Sequence, residues 1–368
     1  MANRKSQRLA RSRRLLDYLS GVERKSVDYF APQSVGRTRA ARSPGRRATK
    51  DDAQTRAYEH RQAIDRSNVP NDILFSAESI INELRPAIEI NGGKYKRVRD
   101  AEWEDFNNDD LKALVARVAQ ATGCISRRQG EGVVGTGFIA GPNLIVTNRH
   151  VAAELGGLDS NRQFIWNSNT EAGINFLNER NRRRDDSSWF KFTRNVLFHP
   201  YFDIAIFEVA SLSGDRKPLA LSAAPFDANS RSDAFLLGYP TADTGDDEEA
   251  QSRLLDGNPG IKRLQPGYLS APKDILVGGR QLTAIPHDSS TLGGSSGSPV
   301  VTIDGKVVGV HFHGRLNDMN WAIPTAELVR DPRVTATGLL VEGASVAAAG
   351  GQGPWTAWWS KFDSGQLI

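Results

Sequence analysis

Gly135-Thr-Gly-Phe-Ile-Ala-Gly-Pro-Asn-Leu-Ile-Val-Thr-Asn-Arg-His150 is the stretch that decides the fold class. It holds two short apolar runs separated by Gly-Pro-Asn, and it delivers a histidine onto the turn where the second run stops. Runs of this length, rich in β-branched residues and bounded by turn residues, read as strands. The same texture recurs downstream at Asp203-Ile-Ala-Ile-Phe-Glu-Val209, Ala234-Phe-Leu-Leu-Gly-Tyr239 and Gln281-Leu-Thr-Ala-Ile285. It returns at Ser298-Pro-Val-Val-Thr-Ile303 and Lys306-Val-Val-Gly-Val-His-Phe312. So many short strands, with glycines at places where a sheet can bend, argue for a β barrel or sandwich.

Upstream of this region the pattern changes. Asp109-Asp110-Leu-Lys-Ala-Leu-Val-Ala-Arg-Val-Ala-Gln-Ala predicts a helix with acids in its first turn and Gly123 closing it. Residues 51–91 read as two helices, with Asp51 or Asp52 capping the first and Ser76 and Ser79 near the start of the second. Pro86 and Gly92-Gly93 end that region. Residues 1–50 are rich in Arg, Ser, Ala and Gly, and only Leu15, Leu16, Tyr18 and Leu19 could pack as a short helix. This arm reads as disordered. Residues 1–70 carry 17 Lys+Arg and 7 Asp+Glu, whereas the rest of the chain carries 30 and 36. Such an arm fits either a tether to nucleic acid or another polyanion, or a solvated linker. No aromatic residues alternate with its arginines, which speaks against a base-stacking platform.

Two further segments have open readings. Residues 159–195, with the charged run Arg182-Arg-Arg-Asp-Asp186, read as a long surface loop. After a flexible Ala347–Gly353 stretch, Trp355-Thr-Ala-Trp358-Trp359 reads either as a docking peptide for a partner or as a segment that folds back and buries its indoles. The expected organisation is a basic arm (1–50), a helical, regulatory extension (51–109), a β domain (110–335) and a Trp-rich tail (336–368).

Composition narrows the function classes. The chain has 368 residues, of which 39% are hydrophobic, enough for a core. No run of 18 apolar residues exists, so no membrane-spanning helix is expected. Met1-Ala-Asn-Arg-Lys5 is not followed by the apolar segment of a secretion signal. Cys124 is the single cysteine, which excludes an intrachain disulfide and a cysteine-based zinc cage and predicts a reducing, cytoplasmic home.

Three segments carry chemistry: the turn at His150, the acid opening His199-Pro-Tyr-Phe-Asp203-Ile-Ala-Ile206, and Thr291-Leu-Gly-Gly-Ser-Ser296-Gly-Ser-Pro-Val300. Amide hydrolysis needs a nucleophile, a base of near-neutral pKa and an acid that orients the base. It also needs backbone donors where charge develops on the carbonyl oxygen. Gly293 and Gly294 free the backbone, so the N–H groups of Gly294 and Ser296 can converge on one point. Gly293-Gly-Ser-Ser-Gly297 also satisfies Gly-x-Ser-x-Gly, the nucleophile elbow of α/β-hydrolases. That fold needs its acid and histidine downstream, where only Asp304 with His311 or His313 could serve, and the alternating β/α pattern is absent.

Thr-x-x-His150, Asp203-Ile-Ala and Gly-Ser-Ser296-Gly-Ser-Pro, at spacings of 53 and 93 residues, resemble the trypsin-like serine proteases of chymotrypsin fold. Ser-Thr-Leu-Gly-Gly-Ser-Ser-Gly-Ser-Pro-Val followed by Val-Gly-Val-His311-Phe resembles the bacterial glutamyl endopeptidases most. The resemblance covers roughly residues 110–335. It implies an all-β fold of two packed antiparallel six-stranded barrels behind a mostly helical, partly disordered N-terminal extension. It implies a catalytic triad of His150, Asp203 and Ser296, an oxyanion hole from Gly294 and Ser296, and neither a metal nor an organic cofactor. The partner it implies is a protein or peptide substrate, with a regulatory partner reached through residues 1–109 or the Trp-rich tail as a further expectation. The other class in play is a catalytically idle peptide-binding module whose basic arm holds nucleic acid.

The resemblance also locates the substrate pocket. Its base falls at Ser290, where trypsin-like enzymes specific for Arg or Lys carry an acid. Thr291 and His311 fall on its wall, matching the Thr and His with which glutamyl endopeptidases hold a carboxylate, and His313 lines the cleft. The alternative for His311 is a satisfied core histidine. His311 and His313, at spacing two on a strand, are expected to face one side, and as a metal pair they lack a third ligand. His60 falls in the extension, His199 at a strand start, and His287 in a loop. Directly before the nucleophile stands Ser295, which cannot make the ion pair to a new N-terminal amine by which digestive zymogens are activated.

Overall fold

In a computed structural model of the chain, the strand Thr122–Arg127 pairs with Gly135–Gly141 on one side and with Ala172–Asn175 on the other. The ladder continues through Leu144–Thr147, Ala205–Val209 and Trp189–Phe198 and closes on itself as a six-stranded antiparallel barrel. Closure leaves no unpaired edge. The structure describes residues 85–128, 132–167, 171–182, 188–212, 216–227, 233–242, 251–252, 254–314, 319–343 and 352–366. The basic arm, most of the expected helical extension, the Arg183–Asp186 part of the charged run and most of the Ala347–Gly353 stretch lie outside them.

An aromatic cluster joins the barrel strands to the separate short strand Phe164–Trp166. Phe192 and Phe207 stack at 4.5 Å, Trp166 lies 5.4 Å from Phe207, and Phe164 meets both Trp166 and Phe207 edge-on. Residues 159–195 are therefore no simple loop. Phe164–Trp166, Ala172–Asn175 and Trp189–Phe198 are strands, two of which are barrel staves. Polar residues disguise the longest of them. In Trp189–Phe198, buried Phe192 and Leu197 alternate with exposed Lys191, Thr193 and Arg194.

The second layer is a ten-stranded sheet rather than a second closed barrel. Its path runs from Ile88–Glu89 through Arg263–Tyr268, Asp233–Gly238, Pro299–Thr302, Val307–His313, Asn320–Pro324 and Arg280–His287 to Lys273–Val277. The two end strands do not pair with each other, so the expected six-stranded closure is not reached. Its core packs Leu236, Leu269, Ile285, Val300, Val308 and Ala322. Residues 88–89 belong to this sheet, in register with Arg263 and Leu264, where helix was expected.

The helix Asp109–Ala121 forms, capped by the Asn108 side chain, but Gly123 does not close it: Thr122 ends the helix and Gly123 already lies in the barrel strand Thr122–Arg127. Lys262 fastens these parts together. Its ammonium donates to the carbonyls of Ala119 and Phe176 at 2.7 Å each, and burial lowers its pKa to about 8 even with Glu179 nearby. At the other end, the helix Thr356–Asp363 folds back onto the body. Trp355 packs on Phe202, and the buried Trp359 indole donates to Asp331 at 2.6 Å. The same Asp331 carboxylate oxygen lies 3.1 Å from Nε2 of buried His199. Among the described residues, no helix is long and apolar enough to cross a membrane.

Candidate active site

Strand Leu144–Thr147 runs out of the barrel into the short helix Arg149–Ala153, and residues 148–150 all grip the turn 199–203. Asn148 donates through its amide to the Asp203 carbonyl at 2.9 Å. Arg149 donates through Nη1 to the carbonyls of His199 and Pro200, both at 2.9 Å. His150 donates its backbone N–H to Oδ1 of Asp203 at 3.0 Å, and its Nδ1 stands 2.6 Å from Oδ2. Burial alone would raise the Asp203 pKa. The His150 ring and backbone, with the Arg149 charge, outweigh that and hold it at about 2. Asp203 is therefore an acceptor at neutral pH, Nδ1 of His150 carries the proton, and the basic lone pair lies on Nε2.

Ser296 sits on the turn between His287 and Pro299, and this turn is fastened to the barrel. Thr136 donates its N–H to the Ser296 carbonyl at 2.8 Å and its hydroxyl to the Gly294 carbonyl at 2.7 Å. Gly297 donates to the His311 carbonyl at 2.9 Å. Gly294 and Gly297 have φ of +83° and +89°, which L side chains rarely adopt. A Cβ at Gly297 would also collide with the Thr136 carbonyl oxygen. At Gly135 the two halves meet: a Cβ there would strike Val151, next to His150, and lie 3.3 Å from the Ser296 carbonyl oxygen. The turn bearing Ser296 and the helix bearing His150 thus both close on one strand of the barrel at Gly135.

The pocket candidates lie beside this turn. Gln265 spans the region, donating to the Ser290 carbonyl and reaching Oγ of Ser295 at 3.5 Å. Ser290 and Thr291 are buried, and the Ser290 hydroxyl donates to the Arg85 carbonyl at 2.8 Å. That bond commits the hydroxyl's one proton, leaving oxygen lone pairs and backbone for other contacts. His311 is buried with its Nδ1 3.1 Å from Nε2 of His287. Burial drives both imidazoles down, His287 to about 3 and His311 well below the usual histidine range with His287, His313 and His150 contributing. Both are neutral at pH 7. Nδ1 of His287 and Nε2 of His311 make no well-formed hydrogen bond to a described residue, although the Trp321 backbone lies close enough to the His311 ring to favour its protonated form. His313 does not follow the simple alternation expected of it. A bulge between His311 and His313 pairs them with the adjacent residues Ala322 and Trp321, and so re-aims one against the other.

Several participants escaped the sequence reading. His287 ends the strand Arg280–His287 instead of lying in a loop, because Pro286 sits in the ladder opposite Trp321 and does not stop it. Asn148 and Arg149 stood next to His150 but carried no signal beyond that neighbourhood. Among the described residues, no three His, Cys, Asp or Glu side chains gather to hold a metal.

Comparison with known proteins bears on this arrangement. Residues 135–310 match the family model described as the trypsin-like peptidase domain. A glutamyl endopeptidase of Staphylococcus epidermidis is 25% identical over 196 residues, covering 53% of this chain and 60% of that protein. One from Staphylococcus aureus strain MW2 is 27% identical over 124 residues, covering 34% of this chain and 37% of that protein. The chain thus spans 60% or less of these relatives' lengths. Among solved structures, the active form of the Rv3671c protease from M. tuberculosis aligns at 20% identity with a TM-score of 0.43, over 64% of this chain and 88% of that one. Deg5 aligns at 20% identity with a TM-score of 0.37, over 60% of this chain and 91% of that one.

Proposed function

We propose that this chain, whose residues 135–310 form a trypsin-like peptidase domain, is a serine endopeptidase that cuts peptide bonds through an acyl-enzyme, preferring Glu before the cut. The observation that carries the reading is the His150–Asp203 pair, 2.6 Å side chain to side chain and 3.0 Å backbone to side chain, with the Ser296 turn anchored to the adjoining strand.

The steps follow from the residue chemistry. Nε2 of His150 takes the Ser296 hydroxyl proton as Oγ bonds to the substrate carbonyl carbon. The resulting oxyanion is held by the N–H groups of Gly294 and Ser296. The imidazolium is stabilised by the ionised Asp203, then protonates the leaving amine as the C–N bond breaks. Water, deprotonated by the same nitrogen, attacks the ester carbon, and the imidazolium returns that proton to Oγ of Ser296 as the ester C–O bond breaks, releasing the acid product and restoring the hydroxyl.

The preference for Glu rests on His311, Thr291 and the His287 pair. A substrate carboxylate entering a buried pocket must be hydrogen-bonded or paired, or it costs several kcal/mol. If His287 donates from Nε2 to Nδ1 of His311, the one proton of neutral His311 lies on Nε2, aimed away from its partner as a donor. The Thr291 hydroxyl is the second donor of the reading. Binding a carboxylate would raise the depressed His311 pKa, so affinity should strengthen as pH falls. The printed name of the Staphylococcus relatives agrees with this specificity. A reducing compartment belongs to the same proposal, supported by the lone, buried Cys124.

The test pairs a fluorophosphonate probe with a peptide panel. Ser296 should label in the intact chain and not in Ser296→Ala, and matched peptides should be cut after Glu ahead of Asp, Gln, Ala, Phe and Arg. An unlabelled wild-type protein would sink the peptidase reading. Labelling with no Glu preference, or a Glu preference unchanged in His311→Ala, would sink the specificity alone.

A further inference from the structure

Arg85 lies more than 200 residues upstream of Ser296, yet its side chain is 1% exposed and its Nη2 is 2.7 Å from Oδ2 of Asp288, itself 2% exposed. Its Nη1 pairs with Glu102 at 2.9 Å, and the guanidinium lies 5.0 Å from the Trp103 ring and 4.8 Å from the Tyr268 ring. The backbone takes part too, since the Arg85 carbonyl accepts the Ser290 hydroxyl at 2.8 Å. One residue therefore holds both Asp288 and Ser290.

The stretch they bracket is held on every residue. Asp288 accepts the Tyr268 N–H on its other oxygen at 2.7 Å, Asn320 donates to the Ser289 carbonyl at 2.7 Å, and Gln265 donates to the Ser290 carbonyl. His287, just before it, meets His311, while Ser295, just before Ser296, is reached by the same Gln265. We propose that Arg85 is a positioning residue for the substrate pocket: its ion pair and carbonyl fix segment 288–290, so the chain upstream of the β domain finishes the pocket floor. This rests on the proposed reading of Ser290, Thr291 and His311 as pocket residues.

The physical case turns on why a charge is buried here at all. Desolvating two ions offsets most of their attraction, and well-packed apolar residues often stabilise a fold as well or better. What the ion pair supplies instead is geometry. A guanidinium is a planar fork, and here it lies against two adjacent aromatic rings and pairs with two carboxylates, which restricts where Asp288 can sit. Segment 288–290 contains no regular secondary structure and has no helix or ladder of its own to set its position. The internal arginine thus does its ordering without any newly made chain end.

The experiment uses the full-length protein with Arg85→Met, Arg85→Lys and Glu102→Gln, each checked for folding by thermal melt. The readouts are the fluorophosphonate labelling rate at Ser296, which needs the triad but no pocket occupant, and kcat and KM on matched peptides with Glu or Ala before the cut. In Arg85→Met, KM for the Glu peptide should rise and the Glu-to-Ala ratio of kcat/KM should fall about tenfold, while labelling changes less than about threefold. Arg85→Lys should recover part of the ratio. A folded Arg85→Met with an unchanged ratio overturns the inference, since a merely structural role moves the melt and not the selectivity. Should Arg85→Met fail to fold, Glu102→Gln decides: a fall of about two- to threefold in the ratio supports the inference and an unchanged ratio overturns it. Absence of wild-type labelling would defeat the peptidase reading instead, so the two failures are distinguishable.

Discussion

Asp203 holds His150 by two bonds at once, Oδ2 to the ring Nδ1 at 2.6 Å and Oδ1 to the backbone N–H at 3.0 Å. The carboxylate therefore fixes both the rotation of the ring and the turn that carries it. Its pKa of about 2 keeps it an acceptor on both oxygens throughout the neutral range.

Asp203→Asn should preserve the shape of this contact and destroy its chemistry. An amide NH₂ facing Nδ1 forces the imidazole proton onto Nε2, where the base must be empty. Peptide turnover should fall about 10⁴-fold, with little change in circular dichroism.

Ser296→Ala should lose activity by about 10⁴-fold or more, and His150→Ala by as much, since such residues act as a unit. Ser295→Ala is the control. Its hydroxyl lies 3.5 Å from both Gln265 and the Leu292 N–H, a weak pair of contacts, so most turnover should survive. Loss of activity in Ser295→Ala with retention in Ser296→Ala would reverse the assignment.

Acid should weaken the fold well before it titrates ordinary carboxylates. Burial lowers His287 to about 3 and holds His311 well below the usual histidine range, so as pH falls from about 6.5 towards 3 the unfolded chain binds protons that the folded one refuses. Stability should thus be full above pH 6.5 and fall steadily below it. The Asp203 contribution, present above pH 4, should vanish in turn as pH approaches 2. Urea midpoints measured from pH 7.5 to 4 should show this acid limb, and His287→Leu should flatten it. Equal slopes in both proteins would contradict the account.

Trp359→Ala should cost about 3–5 kcal/mol, because a buried indole is removed from between His199, Arg333 and Phe362. Trp359→Phe keeps the ring and loses the bond to Asp331, for a smaller cost of about 1–2 kcal/mol. Chemical denaturation monitored by far-UV circular dichroism measures both.

What was legible in the sequence was local. His150, Asp203 and Ser296 each lie at a strand end marked by turn residues, and that texture could be read without knowing any contact. Strand Trp189–Phe198 was lost because its exposed residues are charged or polar, Ala172–Asn175 because its four buried residues include a single large apolar side chain, and Arg280–His287 was cut short at a proline that the ladder tolerates. The open second sheet was hidden for a different reason. Its end strand Ile88–Glu89 is two residues long and pairs with Arg263–Leu264, far along the chain. Arg85 with Asp288, His199 with Asp331 and Lys262 with Ala119 are long-range partnerships of polar groups, and no periodicity announces them.

The helix Thr356–Asp363 braces the turn of the proposed catalytic acid, through Trp359 and Asp331 to His199 and through Trp355 to Phe202. Ribosomes build this chain in the opposite order: His150, Asp203 and Ser296 emerge first, and the brace is translated some sixty residues after the nucleophile. Domains fold as their segments are made. On the proposed reading, a nascent molecule carries its cutting residues with the acid's turn still unbraced until the helix Thr356–Asp363 has been made and has docked.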